Sequence, residues 1–181
     1  MDRQPVLEGE QLLLRPLRTD DWEALFAVAS DPEIWALHPQ HDRWQEPVFR
    51  AYFADALAQG GALAVIDRTT GAIIGSSRMQ GYDPADGGSV EIGWTLLARS
   101  HWGGAFNREM KRLMLGHALK FVERVDFRVG EGNLRSRGAM EKIGGRLSDR
   151  SDIVDTASGP VRHMVYEITR DSFADGPLKL L

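Results

Sequence analysis

The spacing of apolar residues in the first third of the chain predicts one strand followed by helices. A short apolar run at residues 12–17 suits a strand. Thr19, Asp20 and Asp21 are suited to the start of a helix, and apolar residues recur three and four positions apart after them. A second helix is expected from about Pro32, because proline fits a first turn. A third helix is expected over residues 44–59, where Gly60 provides the stop.

The middle of the chain has the pattern of an antiparallel meander. Residues 62–66 and 72–79 are two apolar runs joined by a short, turn-rich connection, which indicates a hairpin. A third strand is expected at residues 89–97, after a turn rich in Gly, Asp and Pro.

The clearest helix signal lies at residues 105–124, where apolar residues recur at helical spacing. The residues expected on its core side are Phe106, Met110, Leu113, Met114, His117, Phe121 and Val122. Lys111 is expected largely away from the core, with the other basic residues of this helix. A strand at 125–129, a helix at 133–143 and a strand at 161–168 follow, so residues 1–181 are predicted to form one mixed α/β domain.

Composition narrows the classes of protein that the chain can represent. The 181 residues are enough for one domain with a sizeable core. The absence of cysteine excludes disulfides, thiolate metal sites and a cysteine nucleophile. Charges and Pro5 within residues 1–10 do not match a secretory signal, and no apolar run has the length of a membrane span. We therefore expect a cytoplasmic protein.

The charge of the chain is unevenly distributed. The net charge is −4, but residues 97–146 contain eleven Lys and Arg against five Asp and Glu, a local charge of +6. A basic segment in an acidic protein suggests an anionic ligand, although a solvated basic helix face explains it about equally well. An overall pI near 5.7 argues against a nucleic-acid-binding module.

The loop at residues 102–107 is the candidate ligand site. Gly103 and Gly104 allow a tight turn and a close approach of backbone N–H groups to a ligand just before the strongest helix. A helix N-terminus favours anions, so this loop can hold a pyrophosphate, and Arg108 in the first turn is best explained by a nearby phosphate. The glycines are not followed by Lys-Ser/Thr, and the preceding strands do not form a βαβ unit, so the common nucleotide-binding loops do not fit.

The blocks at residues 90–94, 100–107 and 133–144 resemble the GCN5-related N-acetyltransferase (GNAT) family, especially its branch of ribosomal-protein N-terminal acetyltransferases. The resemblance implies the GNAT fold: a mostly antiparallel, twisted sheet of about six to seven strands, flanked by about four to five helices. It also implies acetyl-CoA as co-substrate and a primary amine as acceptor. Ser100 is a departure, since the family usually has Gln or Arg at this position.

The resemblance also implies which residues contact acetyl-CoA. The backbone near Leu97 and Ala98 is expected to polarise the thioester carbonyl. Arg99 and His101 are the two candidates to substitute for the missing family side chain at Ser100. The other residues expected to bind the cofactor are Trp102, Gly103, Gly104, Ala105, Phe106, Asn107, Arg108, Asn133, Arg135 and Ser136.

Two residues are candidates for the chemistry. Many family members place a proton-donating tyrosine at the position of Met140, and a thioether has no proton to give. Ser136 is the replacement candidate, with helix capping as its structural alternative. Glu91 is the candidate base for the acceptor amine, predicted to share a strand face with Gly93, Thr95 and Leu97, although an ordinary strand carboxylate explains it at least as well.

The acceptor side is less defined. His38, His41 and His163 are candidate pocket residues, and Trp35 and Trp44 flank the region where family members build the acceptor wall. Peptide N-termini, amino acids, polyamines and aminoglycosides all remain open as acceptors. No metal site is expected, because no ligand spacing exists, and the protein is expected to be a monomer or homodimer. A catalytically silent acyl-CoA-binding domain with the same fold is the alternative function.

Overall fold

The structure is a computed structural model that describes residues 1–179, so the last two residues of the predicted domain lie outside it. Within this part of the chain there are eight strands and six helices. The strands are β1 (Leu7–Glu8), β2 (Leu12–Pro16), β3 (Ala62–Asp67), β4 (Ile73–Asp83), β5 (Ser89–Leu97), β6 (Arg124–Gly130), β7 (Arg146–Thr156) and β8 (Gly159–Thr169). The helices are α1 (Trp22–Ala29), α2 (Pro32–Trp35), α3 (Glu46–Gln59), α4 (Ala105–Ala118), α5 (Leu134–Lys142) and α6 (Arg170–Ala174).

All eight strands form one sheet in the order β1-β2-β3-β4-β5-β6-β8-β7. Every neighbouring pair is antiparallel except β5 and β6, which are parallel. The mixed α/β class and the mostly antiparallel sheet are therefore confirmed. The sheet has more strands than the six to seven expected, and there is one helix more than the upper estimate.

The elements that the apolar pattern missed are β1, β7 and α6. Strand β7 lies at the edge of the sheet and is exposed along most of its length, including Leu147 and Ile153. A strand without a buried face has no reason to alternate apolar and polar residues, so it gives no periodic signal. Strand β1 and helix α6 are too short to give one.

Helix α4 departs from its prediction at three places. It ends at Ala118, because the chain must leave the helix to enter β6 at Arg124, and Phe121 beyond its end is 49% exposed rather than in the core. The ring of His117 is half-buried against the N-terminal segment, with Nε2 2.7 Å from the backbone oxygen of Asp2. Lys111, predicted largely away from the core, is buried.

The sheet separates two apolar layers. One contains the buried face of α4, with Met110 and Met114, packed on side chains of the central strands such as Ile92. The other packs α1, α2 and α3 around Trp35 and Phe49. Aliphatic and aromatic side chains of this size each contribute about 1.5–3 kcal/mol when fully buried, so these layers fix the helices on the sheet.

Helix α4 is also held by a buried carboxylate. Glu109 is 5% exposed, and its carboxylate accepts hydrogen bonds from the backbone N–H groups of Glu10 and Gln11 in the turn between β1 and β2. Hydrogen bonds to a charged group are stronger than neutral ones, at about 1.5–3 kcal/mol. Glu109 therefore ties the first turns of α4 to the far edge of the sheet.

We expect Glu109→Ala to lower the free energy of unfolding by about 1.5–3 kcal/mol, because the two backbone donors lose their acceptor. Denaturant unfolding at neutral pH measures this change. Glu10→Ala is the matched control, since that side chain is exposed, and it should change stability by less than about 0.5 kcal/mol. Equal stability of the two variants would contradict the role of Glu109.

Candidate active site

A cleft opens where two central strands separate. The parallel strands β5 and β6 pair over only three residues on each strand, the last pair being Glu91 with Asp126. Beyond this point the two strands line opposite sides of a cavity of about 250 Å³. Backbone groups on the separated edges have no neighbouring strand to pair with there, so they are available to a ligand that enters the sheet.

A β-bulge shapes the cleft side of β5. Arg78 pairs with Gly93 and Ser76 pairs with Leu96, so Ser77 alone opposes Trp94 and Thr95. Trp94 has φ of 50°, a left-handed conformation that costs a residue with a side chain about 1–3 kcal/mol. Strain of this kind persists only where the surrounding structure enforces it, and it concentrates at functional sites.

The bulge changes which side chains share a face. Ile92 before the bulge and Leu97 after it both belong to the layer under α4, whereas Leu96 belongs to the opposite layer. The prediction that Glu91 and Leu97 share a face is therefore wrong, because the extra residue reverses the alternation. Thr95 lies on the α4 side, where its Oγ1 accepts a hydrogen bond from Lys111.

Several contacts hold the bulge in place. The hydroxyl of Tyr52 donates to the backbone oxygen of Trp94 at 2.6 Å. The guanidinium of Arg78, which is fully buried, lies over the rings of Tyr52 and Trp94 and donates to the backbone oxygen of Tyr52 and to Asp55. The hydroxyls of Ser77 and Thr95 are 2.8 Å apart, which joins β4 to the bulge.

The N-terminus of α4 lies at the mouth of the cleft. Gly103 has φ of 70°, which requires glycine, and Gly104 is the N-cap residue without a side-chain cap. In the described chain, no backbone oxygen accepts from the N–H groups of Gly103, Gly104 or Ala105. The Cα atoms of both glycines face open space. Free amide donors at the positive end of a helix fit a pyrophosphate group such as that of CoA.

The structure brings part of the predicted cofactor set to the cleft. The residues of that set that line it are Leu97, Trp102, Gly103, Asn107, Asn133, Arg135 and Ser136. The residues that lie outside its lining are Ala98, Arg99, Gly104, Ala105, Phe106 and Arg108. The lining residues come from the end of β5, the start of α4 and α5, so three separate elements meet at one site.

Three predicted contacts have other partners in the structure. The N–H of Ala98 donates to the backbone oxygen of Ile74, so it is not free to polarise a carbonyl. Arg99 forms an ion pair with Asp31 in a groove on the other side of the loop. Arg108 donates to the backbone oxygen of Pro177 at 2.8 Å, because its exposed side chain extends toward the C-terminal segment.

Helix α5 forms one wall of the cleft. The side chain of Asn133 accepts from the N–H of Ser136 and so caps the helix. The cap role considered for Ser136 thus belongs to Asn133. Ser136 and Met140, one turn apart, both line the cleft. Arg135 lies over the ring of Trp102, 4.2 Å from its centroid, and so closes the wall against the loop before α4.

Glu91 lies at the point where β5 and β6 separate. Its carboxylate forms an ion pair with Arg128, which also donates to Asp152. Burial raises the pKa of Glu91, and the nearby Arg128 only partly offsets this effect. A carboxylate with a raised pKa is a better proton acceptor, so the environment is compatible with the predicted role as a base.

Two of the three candidate histidines reach the cleft. His38 and His163 line it, whereas His41 is exposed outside it. Burial, assisted by positive charge from Arg43, lowers the pKa of His38 to about 3, so this ring is neutral at physiological pH. Its Nδ1 accepts from the N–H of Gln40, which leaves the ring proton on Nε2.

Lys111 lines the cleft, although the sequence analysis placed it largely away from the core. It is four residues after Asn107 and three before Met114, so helical spacing puts it on the buried face of α4. The basic character of lysine outweighed this spacing in the prediction. Within residues 1–179, no group of three or more His, Asp or Glu side chains is arranged to hold a metal ion. No helix in that range is long and apolar enough to cross a membrane.

The comparisons with known proteins agree with this geometry. The family model for the acetyltransferase (GNAT) domain matches residues 11–146, which is more than half of the chain. The protein therefore belongs to the GNAT acetyltransferase family. None of the curated proteins compared with the chain matches it.

Solved structures share the fold at low sequence identity. A GCN5-related N-acetyltransferase from Brucella melitensis is 19% identical with a TM-score of 0.81, covering 94% of this chain and 80% of the other. Mycobacterium smegmatis RimJ in complex with CoA-disulfide is 18% identical with a TM-score of 0.70, covering 92% and 86%. Spermidine N-acetyltransferase from Vibrio cholerae, in complex with CoA and spermine, is 15% identical with a TM-score of 0.68, covering 91% and 98%.

The neutral His38 has a consequence for acid stability. Because its pKa is lowered in the folded state, the unfolded chain binds more protons between about pH 6.5 and 3. The contribution of the neutral His38 to the free energy of unfolding is thus present above pH 6.5 and is lost as the pH falls toward 3. We expect His38→Gln to lose less stability than the unmodified protein between about pH 7 and 4.5 in denaturant unfolding.

His41→Gln is the matched control for this experiment, since that ring is exposed three residues away. It should follow the unmodified protein across the pH range. If His38→Gln lost stability as steeply as the His41 variant, His38 would not be held neutral by the fold.

Proposed function

We propose that this protein is an N-acetyltransferase that transfers an acetyl group from acetyl-CoA to a primary amine by direct attack in a ternary complex. The main support for the proposal is one cleft whose lining includes both the separated strands β5 and β6 and the residues at the free N-terminus of α4. An extended ligand with a pyrophosphate in its middle and a reactive thioester at its end fits this arrangement. The CoA complexes of Mycobacterium smegmatis RimJ and Vibrio cholerae spermidine N-acetyltransferase support it by fold.

Glu91 is proposed as the base that takes a proton from the acceptor ammonium, directly or through water. Its raised pKa and its position at the head of the cleft support this role. The ion pair with Arg128 fixes the carboxylate in one place. Ser136 is proposed as a hydrogen-bond donor to the sulfur, because it lines the cleft and its side chain is not used in the helix cap.

The lining of the cleft narrows the proposed acceptor. Among the described residues that form it, there is no Asp or Glu; Arg135 contributes positive charge, whereas the charge of Arg128 is balanced by Glu91 and Asp152. A polycation such as spermine would find no carboxylate in this lining to hold its further amines. We therefore favour an acceptor with a single amine, either a protein N-terminus or a small molecule, in a cytoplasmic setting.

Cofactor binding is tested at Gly104. Its backbone is extended and its Cα faces open space, so a side chain fits without strain, unlike at Gly103. Gly104→Glu places a negative charge at the helix N-terminus and should raise the Kd for acetyl-CoA by about tenfold or more, measured by calorimetry. Gly104→Gln is the matched control and should bind acetyl-CoA within about threefold of the unmodified protein.

Turnover with a panel of amines then separates an enzyme from a silent acyl-CoA-binding domain. Binding of acetyl-CoA without acetylation of any amine, including peptide N-termini, would favour the silent domain. Identical affinity of the Gly104→Glu and Gly104→Gln variants would show that the phosphates bind elsewhere. Without ligand, the two variants should differ in stability by no more than about 1 kcal/mol, the effect of a negative charge at a helix N-terminus.

A further inference from the structure

Among residues 1–179, Lys111 is a buried amine without an ionic partner. The residue is 2% exposed, and its Nζ donates to Thr95 Oγ1 at 2.8 Å. The ring of Phe127 lies 5.7 Å from Nζ. In the described chain, Lys111 belongs to none of the ion pairs, although thirteen are present. A charged amine in such a place is costly, and packing alone does not explain it.

The apolar layer under the sheet offers Lys111 no structural reason to be a lysine. Its apolar neighbours among the buried residues of α4 are Met110, Met114 and Leu115, while the buried carboxylate of Glu109 is held by the backbone of Glu10 and Gln11. A methionine of similar length would fill the same space without an amine to desolvate. A costly polar group that lines a ligand cleft is a candidate for chemistry.

The protonation state of Lys111 is set by burial. Burial lowers its pKa to about 7, and no neighbouring charge contributes to the change. The titratable and basic groups that line the same cleft are His38 on the loop after α2, Arg128 on β6, Arg135 on α5 and His163 on β8. Because none of these is a carboxylate, nothing in the lining holds the amine permanently charged. Both of its forms are populated near neutral pH.

The reaction needs a proton at one specific atom. When the acceptor amine attacks the thioester carbonyl, a carbon–nitrogen bond forms and the carbon–sulfur bond breaks. CoA then leaves as a thiolate that takes one proton, and the acceptor nitrogen releases one. Met140 has no proton to give, and Ser136 supplies only a hydrogen bond, so the proton must come from another group of the lining.

We propose that Lys111 is the acid that protonates the departing CoA thiolate, an inference that rests on the proposed acetyl transfer. Its ammonium, aligned by Thr95 at the bulge, gives its proton to the sulfur, and the proton released from the acceptor restores it through solvent. The amine lies on the α4 face of the sheet, whereas Glu91 precedes the bulge and lies on the opposite face. Acid and base thus lie on opposite faces of the sheet: Lys111 lines the cleft, and Glu91 directly precedes Ile92, the first residue of β5 in its lining.

Lys111→Met is the direct test. It should lower kcat by about 100-fold, within the range of a positioned acid, while the Kd for acetyl-CoA changes by less than about threefold. In the unmodified enzyme kcat should fall at alkaline pH as Lys111 loses its proton, and this limb should be absent from the variant. Lys120→Met is the matched control, since Lys120 is exposed just beyond α4. This variant should retain both the kcat of the unmodified enzyme and its fall at alkaline pH.

Other outcomes separate this inference from the proposed function. If the unmodified protein acetylates no amine, both fall together. If it turns over and Lys111→Met keeps kcat and the alkaline limb, Lys111 alone leaves the mechanism and Ser136→Ala should carry the loss. A gain of one acetyl group during turnover, located on Lys111 by peptide mass mapping, would also overturn the proposal, because an amide nitrogen cannot supply the proton.

A measurement on the unmodified enzyme does not depend on the folding of any variant. Lysine labelled with ¹³C at Cε reports the titration of Lys111 by NMR in the CoA complex. Its pKa should match that of the alkaline limb of kcat. A lysine that stayed charged across that limb would overturn the assignment.

Discussion

The left-handed conformation of Trp94 is the constraint on which the rest of the site depends. It inserts one extra residue into β5 opposite Ser77, within the segment that lines the cleft after the last pairing of Glu91 with Asp126. A conformation that costs about 1–3 kcal/mol needs support. Tyr52 and Arg78 provide it from the α3 side through a hydrogen bond and a buried guanidinium.

The bulge also decides which groups face each other across the sheet. The reversal of side-chain alternation sends Thr95 and Leu97 toward α4, where Lys111 meets Thr95. Without the extra residue, the same positions would face the opposite layer. Glu109 fixes α4 to the turn between β1 and β2, so the free amides at its first turn are held at the mouth of the cleft. One helix therefore carries both the anchor at Glu109 and the free amides at the mouth of the cleft.

Most of the fold was predictable because its elements bury one face. Strand β5 has the predicted bounds, and α5 differs from its prediction by one residue at each end. The exposed edge strand β7 was not predictable, since nothing packs on it to impose a period. In the site, the Gly103 loop was found from its glycines before a helix, and the α5 block from its resemblance to the GNAT family. The bulge at Trp94 was missed, because it depends on contacts between distant segments rather than on local pattern. The burial of Lys111 was missed although helical spacing indicates it, because lysine side chains are usually exposed.

In the proposed complex, one ligand passes from the N-terminus of α4 into the gap between β5 and β6. Titration of CoA into ¹⁵N-labelled protein, followed through backbone amide resonances, tests this path. The largest shifts are expected on residues 103–107 and on residues 92–95 along the open edge of β5, with little change in β2 and β7. Shifts confined to the groove around Asp31 and Arg99, or spread without a focus, would contradict it.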